Sequence, residues 1–241
     1  PCCSPDIDCL GTENRSNQSK ALLPLIMATV GGTTRVASAD DPLRCAILIS
    51  GSGSGMQAML EHQQNPDCMH ITAVVVSNKS GVKGIERAEN LDVPTVVIET
   101  SLDLEGDERR ISHELEIEQA LLDYEVELVI LSGYMRLLSP QFVARWEGKI
   151  LNIHPSLLPD FPGAHAHRDV IASGVDKSGC TVHYVDAGMD TGEIIAQCEV
   201  EVFPEDTEET LAARVKQFEH ILYPIVVDAI AGGDFSNLKF D

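Results

Sequence analysis

The chain has 241 residues, 44% hydrophobic and 23% charged, the balance of a folded globular protein with a sizeable core. Its 17 Lys+Arg against 38 Asp+Glu leave a formal net charge of -21, a field that repels polyanions, and no basic run reverses it locally, which argues against nucleic-acid binding. The apolar stretch at 21–30 contains Pro24 and is too short for a membrane span, so no membrane association is expected.

Residues 1–43 begin with Pro1, are rich in Ser, Thr, Asn and Pro, and show no sustained apolar period. They read as a disordered leader outside the folded domain at 44–232, and residues 233–241 read as a tail. Asp6, Asp8 and Glu13 argue against a transit peptide, a segment normally poor in acids. Deleting residues 1–40 is accordingly expected to leave stability and activity nearly unchanged. Seven cysteines stand at 2, 3, 9, 45, 68, 180 and 198, with no C-x-x-C pair and no spacing that suggests zinc or a disulfide framework. That usage suits a reducing compartment, and the cytoplasm is expected.

From Arg44 onward short β-branched runs alternate with helical stretches, which predicts an α/β, doubly wound, mostly parallel sheet. Strands are expected at 45–50, 71–77, 95–98, 128–132 and 149–153, and helices at 56–64, 82–91 and 108–124. After Asn152 comes a loop with Pro155, Pro159 and Pro162, then a short helix near 167–173. Runs at 179–185 and 193–202 read as an antiparallel extension of the sheet. Thr207 is the expected N-cap of a last helix, kinked at Pro224 and stopped by Gly232-Gly233.

Three clusters carry candidate chemistry. The first is the βα turn Ser50-Gly51-Ser52-Gly53-Ser54-Gly55, where glycines allow close backbone approach and a helix start offers N–H groups to an anion. On the residues alone it reads equally as a phosphate cradle or a flexible turn; its spacing fits neither a dinucleotide fingerprint nor a P-loop. The second, Asn152-Ile153-His154-Pro155, lies at a strand's carboxyl end, where open α/β sheets bind ligands. Asn152 and His154 are two positions apart, so an amide and an imidazole leave one face together. In the third, Asp186 to Glu193, Asp190 either tunes a histidine or serves only a hairpin turn. His165, His167 and His183 lie nearby without acidic ligands at helical spacing, so no metal is expected.

Taken in order, the Gly/Ser loop, Ser77-Asn78-Lys79, Ser132 to Leu138, Asn152 to Pro159, Asp190-Thr191-Gly192 and Gln217-Phe218-Glu219-His220 resemble the phosphoribosylglycinamide formyltransferases, folate-dependent enzymes of purine synthesis. The resemblance covers residues 44–232 and implies the Rossmann-like formyltransferase fold. It also implies small-molecule substrates: 10-formyltetrahydrofolate as formyl donor and glycinamide ribonucleotide as acceptor, without a metal. By position, His154 would be the general acid, Asn152 would hold the formyl oxygen, and Asp190 would tune His154 and order a water. Gly53, Ser54 and Gly55 would hold the ribose phosphate, with Glu219 near the glycinamide end. Met135, Arg136, Leu137 and Leu138 would line the pterin pocket, and Arg110, or else Arg109, would meet the glutamate tail. The family loop usually carries Asn where this chain has Gly55, and often another polar residue at Ser52.

Related enzymes share this chemistry. Methionyl-tRNA formyltransferase adds a basic tRNA-gripping domain, for which the nine residues after Gly232 and the acidic charge are a poor match. Formyltetrahydrofolate hydrolase carries a regulatory domain before the catalytic one, which the 43-residue leader is too short to supply. A non-catalytic folate-binding module would not require the intact Asn152, His154 and Asp190.

Overall fold

Strands buried on both faces need covering helices on both sides, and the computed structural model, described for residues 35–235, has that form. In chain order the elements are β1 (Leu43–Ile49), α1 (Ser54–His62), β2 (His70–Ser77), α2 (Lys83–Glu89), β3 (Thr95–Val97), α3 (Gly106–Asp123), β4 (Leu128–Leu131), α4 (Pro140–Arg145), β5 (Ile150–His154), α5 (Ala166–Ser173), β6 (Lys177–Tyr184), β7 (Ile194–Glu201) and α6 (Glu208–Gly232). They form one sheet in the order β3-β2-β1-β4-β5-β6-β7. The first five strands are parallel, whereas β6 runs antiparallel to β5 and β7 antiparallel to β6.

Successive side chains of β1 serve opposite cores. Cys45, Ile47 and Ile49 pack with α1 and α6, while Ala46 and Leu48 pack with α3 and α4 around Phe142 and Trp146. The sheet is thus fully covered, and chemistry is confined to its edges. Strand order reverses at β1, whose neighbours β2 and β4 follow it in opposite directions across the sheet, so a crevice opens beyond the carboxyl ends of β1 and β4.

Expected and observed boundaries differ by one or two residues at most strand ends. Helix α4 was not expected, although Ser139-Pro140 is a legible start signal: the Ser139 side chain accepts the Phe142 N–H, and Pro140 stands at the first helical position. Thr207 caps α6 as expected, but Thr210 closes the capping box, and the helix runs on as a single element through Pro224 to Gly233 in the left-handed conformation.

The leader also ends earlier than expected. Leu43 is fully buried at the start of β1, Ala37 is 5% exposed, and the Ala37 N–H donates to the Ala231 carbonyl at 2.7 Å. Arg35 grips Glu127 through Nε at 2.6 Å and Nη2 at 2.8 Å. Acidic and turn-forming residues hide this docking in the sequence, because its apolar content is two side chains without a period. The expected disorder of residues 1–34 and the tail beyond 235 lie outside the described residues. Deletion of residues 1–40 is now expected to lower the melting temperature by about 3 to 6 °C, the effect of losing one or two kcal/mol in a domain of this size. An unchanged melting curve would show that these contacts carry no stability.

Candidate active site

The turn after β1 is shaped by close packing. Gly53 has φ 66°, and a Cβ there would stand 2.7 Å from the Cα of Gly84, so only glycine fits. No side chain caps α1, which leaves the first N–H groups of the helix facing the crevice. Together with Ser132, Gly133, Lys216 and Glu219, the segment from Ser50 to Gly55 encloses a cavity of about 450 Å³. Lys216 was missed in the sequence: it is one lysine on an acidic helix, and only the fold turns it toward the loop. At Gly55 a Cβ would meet Ser132 Oγ at 2.7 Å, so a larger residue there requires the serine to move.

At the end of β5 the second cluster is built by pairing. Asn152 lies opposite His183 on β6, and its Nδ2 donates to His183 Nε2 at 3.2 Å. His183 Nδ1 donates to the Tyr184 carbonyl at 2.8 Å, which leaves Nε2 as the acceptor. Burial pushes His183 below the usual imidazole range, in keeping with this neutral form. His183 therefore orients the Asn152 amide, a role invisible without the strand register.

His154 is 5% exposed and donates from Nε2 to the Phe161 carbonyl at 2.9 Å. Its Nδ1 stands 3.4 Å from Asp190 Oδ2, at ion-pair distance. Both ring nitrogens thus face oxygens of the fold, Nε2 a carbonyl and Nδ1 a carboxylate. Asp190 adopts φ 55°, a left-handed conformation that Asp tolerates better than most residues, and Oδ2 accepts the Gly163 N–H at 2.8 Å. The proline loop before Gly163 is fastened from the extension: Thr181 Oγ1 donates to the Ser156 carbonyl at 2.6 Å and accepts the Leu158 N–H at 3.0 Å. The antiparallel strands consequently position the loop that meets the catalytic candidates.

A second cavity of about 460 Å³ opens on the Asn152 side. Leu131, Leu138 and Val185 give it apolar walls, Asn152 and Asp190 reach it from the sheet, and Arg110, Arg136 and Leu137 line it. Both volumes fall in the range of small-molecule sites. Two guanidinium groups here, in a chain of net charge -21, make a local attraction for anions. Arg109 is not among the lining residues; its Nε donates to the Leu104 carbonyl at the start of its own helix. Met135, expected to line one pocket with Arg136, Leu137 and Leu138, is absent from this cavity; it lines the glycine-loop cavity and an outer groove shared with Arg110, Arg136 and Leu137. The two cavities flank the residues between Asn152 and Pro155.

Burial pushes Glu219 up to about 7, with Lys216 opposing the shift. The folded carboxyl then holds its proton where the unfolded one, near 4.5, has lost it, so stability falls as pH rises from about 4.5 to about 7 and levels off above. Glu219→Gln is expected to remove this loss and stabilise the ligand-free protein at pH 8 by up to about 3 kcal/mol. Melting curves of both proteins across that window check it; parallel curves would refute the burial of this charge.

The fold and the site define a doubly wound α/β protein whose polar cluster stands between two small-molecule cavities at the carboxyl edge of its sheet. The sequence profile of the Formyl transferase family matches residues 43–227, and the chain belongs to that family. It is 38% identical over 193 residues to phosphoribosylglycinamide formyltransferase of Escherichia coli K12, covering 79% of this chain and 88% of that one. It is 43% identical over 190 residues to the trifunctional purine biosynthetic protein adenosine-3 of Bos taurus, and spans only 18% of that protein's length. Among solved structures, phosphoribosylglycinamide formyltransferase from Brucella melitensis superposes with a TM-score of 0.74 at 43% identity, covering 80% of this chain and 97% of the other. Glycinamide ribonucleotide transformylase 1 from Geobacillus kaustophilus gives 0.74 at 41% identity, with 79% and 100% covered.

Proposed function

We propose that this chain transfers the formyl group of 10-formyltetrahydrofolate to the amine of glycinamide ribonucleotide, a small-molecule reaction of purine synthesis carried out in the cytoplasm. The observation that carries this reading is the cluster of Asn152, His154 and Asp190 between a cavity with a helix-start phosphate cradle and one with two arginines. The apolar walls from Leu131, Leu138 and Val185 suit a flat heterocycle, and Arg110 and Arg136 suit the carboxylates of its tail. On the other side the backbone from Gly53 to Gly55 and Lys216 suit a phosphate, with Glu219 toward the acceptor amine. The buried, free thiols of Cys45, Cys68, Cys180 and Cys198 support a reducing compartment. Among the described residues no helix is long and apolar enough to cross a membrane.

When bound, the donor supplies the formyl carbon. Attack by the amine makes the new C–N bond and moves the carbonyl electron pair onto oxygen; return of that pair breaks the bond to the donor's nitrogen, which leaves protonated as the amine gives up a proton. Asn152, aimed by His183, donates to that oxyanion, and His154 supplies a second donor when its Nε2–H turns from the Phe161 carbonyl to the formyl oxygen; each such donor contributes about 3 to 4 kcal/mol. Asp190 faces His154 Nδ1, orients the ring, and is placed to order a water that carries the amine proton toward the leaving nitrogen. Holding both substrates across one crevice adds the advantage of proximity.

A turnover assay decides the acceptor. The purified chain is given 10-formyltetrahydrofolate with glycinamide ribonucleotide, with water alone, or with charged initiator tRNA. Consumption of donor only in the presence of the ribonucleotide is expected. Equal consumption in water alone would make the chain a hydrolase and overturn the reading, and turnover confined to the tRNA would do the same.

A further inference from the structure

Far from the proposed active site, at the amino end of β2, four side chains with metal-ligating atoms converge: His62 from the end of α1, Cys68 and His70 from the next turn and strand, and Asp228 from α6. All four ligand atoms lie within 4.8 Å of one another. Asp228 Oδ1 is 3.4 Å from Cys68 Sγ and 3.6 Å from His70 Nε2, and Asp228 Oδ2 is 2.5 Å from His62 Nε2. Tetrahedral zinc with bonds of 2.0 to 2.3 Å has ligand-to-ligand edges of about 3.3 to 3.8 Å, so with Oδ1 as the Asp228 ligand the separations to Cys68 and His70 already match, and His62 must exchange its bond to Oδ2 for the ion. His70 is fully buried, and its Nε2 faces Asp228 Oδ1 at 3.6 Å, too long for a hydrogen bond, with the Pro224 carbonyl as a weak backbone partner. A buried imidazole nitrogen held so loosely is open to a stronger partner.

We propose that His62, Cys68, His70 and Asp228 form a structural site for one tetrahedral divalent ion of the zinc class. Two imidazoles, a thiolate and a carboxylate match the donors zinc favours, and four protein ligands make a closed, non-catalytic site. Binding releases the Cys68 thiol proton to solvent, and each imidazole offers Nε2 with its remaining proton on Nδ1. The Met69 N–H donates to Asp228 Oδ1 at 2.9 Å and steadies the carboxylate, while a second lone pair of Oδ1 stays open to ligate. The ion would pin the end of α1 and the start of β2 to α6, adding to the apolar packing and hydrogen bonds that already hold them.

The surroundings of His70 supply a sharper consequence. Gln63 Oε1 accepts the Thr72 N–H at 3.0 Å, so Gln63 Nε2 is the atom 2.8 Å from His70 Nδ1. That arrangement favours the proton on Nε2, the wrong tautomer for a ligand, and loading requires Gln63 to present oxygen to Nδ1 instead. Gln63→Glu offers an acceptor to both Nδ1–H and the Thr72 N–H, and is expected to bind zinc about 10-fold more tightly than wild type.

The test uses the full chain without a histidine tag, with Cys2, Cys3 and Cys9 replaced by serine, stripped by a chelator. Zinc is titrated against a chromophoric chelator, and cobalt(II) is followed by its visible spectrum. Expected are one tight equivalent, a tetrahedral cobalt spectrum with a thiolate charge-transfer band, and a melting temperature that rises with zinc. Cys68→Ser should abolish the band and, like His62→Ala, weaken binding at least 100-fold while formyl transfer is unchanged. Zinc binding equal in wild type, Cys68→Ser and His62→Ala would overturn the proposal, as would an octahedral spectrum, or no tighter binding by Gln63→Glu.

Discussion

His154→Ala is expected to lower kcat by about 100-fold or more with the fold intact, the usual contribution of a positioned general acid. His154 donates to the Phe161 carbonyl and faces Asp190, and it is nearly inaccessible in the ligand-free protein. Loss of the ring removes a proton donor beside Asn152 and empties a buried site, so a modest fall in melting temperature accompanies the loss of rate. The melting curve and single-turnover rate are measured on one preparation. Retention of near-wild-type turnover by a folded variant would remove His154 from the mechanism, leaving Asn152 as the principal donor.

Asp190→Asn is expected to have the next largest effect, a fall in kcat of roughly 100-fold with little change in KM for either substrate. The substitution keeps the shape and an oxygen for the Gly163 N–H, but removes the negative charge opposite His154 Nδ1. Asp190 also stands 3.8 Å from His183 Nε2, so its charge acts on both imidazoles of the site. A residue that only pins the loop would behave otherwise, lowering the melting temperature and raising the donor's KM while sparing kcat. Steady-state kinetics with both substrates varied, set beside melting curves, separate the two; the second pattern would reduce Asp190 to a loop anchor.

Much of this was legible in the linear chain. Buried parallel strands must be apolar throughout, and helices between them must show one apolar face, so β1, β2, β4 and the flanking helices announce themselves by composition and period. Asn152 and His154 are two residues apart on one strand, and strand geometry alone places both on one face. The glycine turn is legible for the same reason: its chemistry is local, carried by backbone that only glycine allows.

What the tertiary structure decided are relations between distant segments, on which local pattern is silent. Register across β5 and β6 sets His183 against Asn152, and the loop after β6 carries Asp190 to His154, 36 residues earlier in number. Helix α6 turns Lys216 and Glu219 toward a loop about 160 residues before them, and brings Asp228 to His62, Cys68 and His70. That Arg110 and not Arg109 lines the cavity beside Asn152 rests on helix rotation, and that Met135 lines the cavity of the glycine loop rests on the path of one turn. The docking of Arg35 on Glu127 spans 92 residues with no periodic signal at either end. Sequence periodicity encodes which face of an element is apolar, whereas pairing between elements is selected by the packing of the whole core, and polar side chains contribute too little to that selection to leave a local trace.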